Sequence, residues 1–201
     1  MSDGRYAKGR AKREELLQAT LDAFSNDSFA SASLAEIAAA AGVSRQTLLY
    51  YFPSKEILFA EVVRWRDDIN RRLLALDKGL IDGFPRLATY NQSVPGVIEV
   101  YSVVLANATD GQHPAHETFR DRYEELFATM TAEFAARQRE GTVRGDIAPD
   151  KLAHLYVSVS DGVQLQWLYD RTVSIPAHLE TFLQLVAPPP AHTTGPDPEA
   201  L

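Results

Sequence analysis

The chain is predicted to be all-α, with a small N-terminal helix-turn-helix unit joined through a long fourth helix to a larger helical body. Three observations predict this. Between Ser33 and Lys55, SLAEIAAAAGVSRQTLLYYFPSK, two short apolar-periodic segments flank a glycine-containing turn. Residues 54–76 continue one helical stripe, Ile57, Leu58, Val62, Trp65, Ile69 and Leu73, over more than about 30 Å at ~1.5 Å per residue. Every later apolar segment is long enough for a helix, and none has a strand partner.

The first helix is expected from about Ala11 to Ser25, with Leu16, Leu17, Ala19, Thr20, Ala23 and Phe24 on its apolar face. Residues 1–10 are polar and read as a tail, and residues 26–32 as a loop anchored by Phe29. Ser33 and Glu36 stand in the S-x-x-E relation of a capping box. Leu34, Ile37, Ala38 and Ala41 follow at helical spacing, and Gly42 is the residue able to end the helix in a left-handed conformation. Ser44 is a good N-cap for the next helix, which runs to about Phe52. Arg45, Gln46 and Thr47 fill its first turn, the part of a recognition helix that meets base edges. Leu48 and Phe52 are expected in the core, and Tyr50 is expected to pack.

The run AEIAAAAGVSRQTLLYYFPSKEILF resembles the DNA-binding signature of the TetR family of bacterial transcriptional regulators, over roughly Glu14 to Val63. The resemblance rests on the small-residue turn, the polar first turn of the recognition helix, its aromatic end and the S-K-E start of the fourth helix. It implies that Ser44, Arg45, Gln46, Thr47, Tyr51 and Lys55 meet DNA, with Ser33 and Arg10 as further candidates. Arg45 can reach guanine or phosphate, Gln46 adenine, and Thr47 a thymine methyl. Ser44 can cap the helix and touch a phosphate as well. Ala32 and Leu49 stand where the family commonly has Thr and Tyr, which shifts the expected backbone contacts onto the basic arm, Tyr51 and Lys55.

Charge is distributed to match. The chain carries 20 Lys and Arg against 27 Asp and Glu, net −7. Residues 1–66 hold nine basic and eight acidic side chains, whereas residues 67–201 hold eleven and nineteen. Arg5, Lys8, Arg10, Lys12 and Arg13 form a basic arm with no acid between them. An acidic body with one basic end suits salt-sensitive DNA binding at that end only.

Beyond the fourth helix, Lys78-Gly79 and Asp82-Gly83 mark a loop, followed by a short helix near residues 84–91. PGVIEVYSVVLANAT is rich in β-branched residues and is read as a buried helix begun by Pro95. An amphipathic helix is expected over 115–139, another over 149–171, and a last one from Pro176 to about Ala187. Residues 188–201 are Pro-rich and polar and read as a disordered tail. The units are therefore 1–55 (arm and helix-turn-helix), 56–187 (effector-binding and dimerisation body) and 188–201 (tail).

In the body, Tyr101, Phe119, Tyr123, Phe127 and Trp167, interleaved with Asn107, His116 and Gln164, suit a small-molecule pocket between helices. The resemblance implies that the last two helices pair with their symmetry mates, with Tyr156, Val159, Val163, Leu179 and Phe182 at the dimer interface. No phosphate loop, nucleophile elbow or zinc-protease motif is present, and His113, His116 and Glu117 fall short of a metal's ligand set. No catalytic role, cofactor or metal is expected. Absence of cysteine fits a reducing cytoplasm, and no apolar run reaches the roughly 20 residues of a membrane span.

The expected function is a repressor that binds a palindromic operator on double-stranded DNA as a homodimer and is released by a largely apolar small molecule. A helical carrier or enzyme with an incidental helix-turn-helix, and a dimeric regulator (activators included) without a small-molecule response, remain alternatives.

Overall fold

The computed structural model describes residues 3–23, 32–75 and 79–188, and all their regular structure is helical. In chain order the helices are α1 (Asp3–Ala23), α2 (Leu34–Ala40), α3 (Arg45–Tyr51), α4 (Lys55–Ala75), α5 (Gly79–Gln92), α6 (Pro95–Asn107), α7 (His116–Arg139), α8 (Pro149–Tyr169) and α9 (Ile175–Leu185). The expected anchor Phe29 and residues 189–201 of the expected tail lie outside the described residues.

Two apolar cores organise these helices. The first joins Leu16, Leu17 and Leu21 of α1, Ile37 and Ala38 of α2, Leu48 of α3 and Phe52 to Leu58, Phe59, Val62 and Val63 of α4. It continues without a break into the body through Val97, Val100, Tyr101 and Val104 of α6 and Phe119 of α7. The second core lies among α5 to α9, around Tyr156. That ring touches Phe84, Phe134 and Phe182 at centroid distances of 5.7, 6.1 and 5.3 Å, and its hydroxyl donates to the Ile81 carbonyl at 2.9 Å.

Two sequence expectations are corrected here. Residues 3–10 are helical rather than a tail, because α1 runs unbroken from Asp3. The predicted loop at 79–83 is the first turn of α5. Its start is capped by Glu133 of α7, whose carboxylate accepts from the Leu80 and Ile81 amides at 2.9 and 3.0 Å. Gly79 sits at φ +80°, with the Glu133 carboxylate 3.0 Å from where a β-carbon would stand. Arg137 of α7 adds an ion pair to Asp82 at 2.8 Å. A cap supplied from more than 50 residues away leaves no mark in the local sequence. The β-branched segment after Pro95 is helical, as expected.

Candidate functional site

The reading end is built from local interactions. Ser33 and Glu36 form both bonds of the capping box, with the Glu36 carboxylate accepting from the Ser33 amide at 2.6 Å and the Ser33 hydroxyl accepting from the Glu36 amide at 3.3 Å. The Ser33 amide and hydroxyl hold the Glu36 carboxyl below its usual pKa, and Lys55 contributes from the start of α4. After α2 the Gly42 amide donates to the Ala39 carbonyl at 3.1 Å and the Val43 amide to Ala38 at 2.9 Å, with Gly42 at φ +65°. This is a Schellman ending, and it turns the chain directly into α3. The Ser44 hydroxyl accepts from the Thr47 amide at 3.0 Å and lies 2.8 Å from the Thr47 hydroxyl.

Leu48 and Phe52 are fully buried, as expected, which leaves Arg45 and Gln46 exposed at the first turn of α3. Tyr50 is 81% exposed, contrary to the packing expected of it, whereas Tyr51 is half-buried against the core. The two rings meet edge to face at 5.1 Å. These exposures follow because α3 turns the Leu48–Tyr51–Phe52 face inward. Lys55 extends over the Phe59 ring at 5.3 Å. In the basic arm Lys8 and Arg10 are exposed, but Arg13 is structural: it pairs with Glu61 at 3.0 Å and covers the Phe52 ring at 5.0 Å.

The body holds a cavity of about 70 Å³ enclosed by α1, α4, α5, α6, α7 and α8. Leu21, Val62, Val63, Leu87, Val97 and Val100 supply apolar wall, and Arg66, Asp67, Asn70, Asn91, Arg122 and Asp161 supply polar groups. A second lobe of about 250 Å³ between α4, α5 and α7 shares Asp67, Asn70, Phe84, Leu87, Arg122 and Leu126 with it.

One side of the inner cavity is a buried polar network. The Tyr101 and Tyr123 hydroxyls donate to the two Asp161 carboxylate oxygens at 3.0 and 2.6 Å. Arg122 donates to the Tyr101 hydroxyl at 3.3 Å, forms a close ion pair with Asp67, and covers the Tyr101 ring at 5.0 Å. Burial raises the Asp161 carboxyl above its usual range despite the two tyrosines and Arg122. Burial also pushes the Tyr101 hydroxyl up to about 12. The Arg122 charge is disfavoured by burial, but Tyr101 and Asp67 outweigh this and hold it firmly protonated.

The eight expected pocket residues do not form one site. Tyr101 and Gln164 line the inner cavity. His116, Phe119, Tyr123 and Phe127 line a more open groove of about 530 Å³ between α6, α7 and α8. The His116 ring is held there by the Ala108 carbonyl at 2.8 Å, and Phe127 stacks on His154 at 3.9 Å. Trp167 is buried in the second core beneath the Arg171 guanidinium at 3.8 Å, and Asn107 is exposed at the end of α6; neither belongs to the cavity walls. Arg66 and Asn70 went unnoticed in the sequence, although with Val62 they fall at i, i+4 on the buried face of α4.

The expected interface set is also corrected. Tyr156, Val163 and Leu179 are buried within the protomer and offer no surface to a partner, while Val159 and Phe182 are half-buried. The exposed large apolar side chains of these two helices are Leu155, Leu165 and Tyr169 on α8 and Leu185 on α9.

A compact helix-turn-helix is thus fused through one helix to a cavity-bearing helical body. The family model described as "Bacterial regulatory proteins, tetR family" matches residues 16–62, from α1 through the helix-turn-helix into α4. The chain is 42% identical over 90 residues to the HTH-type transcriptional regulator RutR of Escherichia coli strain K12, a match covering 45% of this chain and 41% of that relative, so less than half of RutR is spanned. A transcriptional regulator from Saccharomonospora viridis in complex with choline has the same fold, with a TM-score of 0.65, 20% identity, and 88% and 95% of the two chains covered. The TetR-family repressor FadR of Thermus thermophilus, in complex with lauroyl-CoA, superimposes with a TM-score of 0.55 at 23% identity, covering 86% of this chain and 92% of that one. Among the described residues no helix is long and apolar enough to cross a membrane.

Proposed function

We propose that this chain is a transcriptional repressor of the TetR kind, which binds a palindromic operator as a homodimer and is released by a small molecule held in the body cavity. The observation that carries the reading is α4. Its N-terminus is capped by the Ser54 hydroxyl, which accepts from the Ile57 amide at 3.2 Å, directly after the recognition helix. Two turns further on, the same helix supplies Val62, Val63, Arg66, Asp67 and Asn70 to the cavity wall. A ligand that moves those residues moves the base of the reading head. Such a ligand shifts the equilibrium only by its differential affinity for the two states.

The reading has three parts. Residues 1–55 form the DNA-reading unit and residues 56–187 the sensing and dimerising body. Arg45 and Gln46 address base edges, with the exposed Tyr50 ring beside them. Ser33, Ser44, Thr47, Tyr51, Lys55 and Arg10 position the backbone, the hydroxyls of Ser44 and Thr47 acting through the helix start they cap. The dimer forms along the α8 stripe Leu155, Val159, Gly162, Leu165 and Tyr169, whose exposed apolar area suits an interface better than solvent. Ligand complexes of the Saccharomonospora and Thermus proteins support a small-molecule role for this body.

Gel-shift titration and footprinting of the full chain on the DNA upstream of its own and neighbouring genes test the reading. Saturable protection of a palindrome, weakened by Arg45→Ala, is expected. No protected palindrome in any of these regions refutes it.

A further inference from the structure

Arg66 is out of balance with its surroundings. It is only 6% exposed, lines the inner cavity, and has Nε and Nη1 buried without a hydrogen-bond acceptor among the described residues. Its third nitrogen, Nη2, donates to the neutral Asn91 side chain at 2.6 Å, and the guanidinium covers the Tyr90 ring at 4.9 Å. The adjacent carboxylate, Asp67, is committed to Arg122 through two of its nitrogens. Asp161, which also lines the cavity, accepts from two tyrosine hydroxyls, one on each oxygen. Unpartnered donors on a buried cation are costly, and proteins keep them where something supplies the acceptor. Burial holds the Arg66 pKa below its usual value, and Tyr90 and Asp67 offset this only in part.

From this we infer that the effector is a small monocarboxylic acid, its carboxylate pairing with the Arg66 guanidinium and its apolar body lying against Val62, Val63, Leu87, Val97 and Val100. The inference rests on the reading of this cavity as the effector site and names the chemistry recognised there. Arg66 is the cation of this wall without a hydrogen-bonded counter-ion among the described residues, and a carboxylate would supply one. A carboxylate matches the single guanidinium charge for charge, whereas a phosphate ester would bring up to two negative charges to it. The shared lobe toward α5 and α7 gives a longer acid room to extend. Asn70, 8% exposed on the same face of α4 one turn after Arg66, is a second polar wall residue for the carboxylate.

The test compares acetate, butyrate, hexanoate and benzoate with the corresponding neutral amides, by thermal shift and calorimetry on the full chain. At about 10 mM even a millimolar site raises the melting temperature measurably. The expected result is saturable stabilisation by at least one acid and none by its amide. Arg66→Met should lose that response, and Arg66→Lys should keep a weaker one. Ligand-free Arg66→Met should melt about 2–4 °C higher than the parent, since an unpaired buried charge is replaced by a chain of similar length. Equal stabilisation by acids and amides, an unchanged acid response in Arg66→Met, or no acid-specific shift across the series overturns the inference. Operator gel shifts separate the two claims. Acids that bind through Arg66 yet leave the operator complex intact uphold the site and refute effector release. Amides that release the operator as well as acids uphold release and refute the carboxylate.

Discussion

Replacing Glu133 with Ala tests whether α5 is held in place by a side chain from another helix. The Glu133 carboxylate is the acceptor for two amides at the start of α5, at 2.9 and 3.0 Å. Ile81 is fully buried, so water cannot easily replace that acceptor, whereas Leu80 is half-exposed and can be partly rehydrated. Hydrogen bonds to charged groups contribute about 1.5–3 kcal/mol, and loss of an N-cap typically costs about 1 kcal/mol. The slightly better helix propensity of Ala on α7 returns a few tenths of a kcal/mol. The net expectation is a loss of about 2 kcal/mol, or roughly 4–8 °C in melting temperature for a chain of this size. Glu133→Gln keeps one oxygen acceptor and should lose about half as much. Urea denaturation at fixed protein concentration gives the free energy, and amide exchange at Leu80 and Ile81 localises it. A Glu133→Ala variant within 0.5 kcal/mol of the parent, with α5 amides equally protected, would refute the tertiary-cap argument.

Three other variants probe different parts of the molecule. Gly42→Ala places a β-carbon in open space at φ +65°, so its cost is purely the left-handed backbone, about 1–2 kcal/mol, read as a lower melting temperature and weaker operator binding. Leu155→Glu with Leu165→Glu puts like charges on the exposed α8 stripe, and sedimentation should show a shift from dimer to monomer with helical content retained. Asp161 has a native pKa raised by burial, so its contribution to stability is full below the ordinary carboxylate value, about 4, and is lost as pH rises through the native value. Denaturation across that window should show stability falling with pH in the parent more steeply than in Asp161→Asn; parallel curves would contradict the assignment.

The reading head was legible because its caps and its turn are short-range. Ser33 to Glu36, Gly42 to Ala39 and Ser44 to Thr47 each span three residues, so hydroxyl, glycine and carboxylate at fixed offsets specify the caps and the turn. The apolar stripes of α4, α6, α7 and α8 are local in the same sense, and they determined the all-helical class and the long connecting helix. Tertiary structure alone decided the rest. Glu133 reaches α5 from 53 residues away, and Arg122 meets Asp67 from 55. Which aromatic residues line space and which fill the core depends on how helices rotate against one another. That rotation turned Tyr156, Val163 and Leu179 inward and left Leu155, Leu165 and Tyr169 outside. It also placed Arg66 in the cavity with two donors unmet, because a helix sequence shows which residues share a face but not what that face will meet.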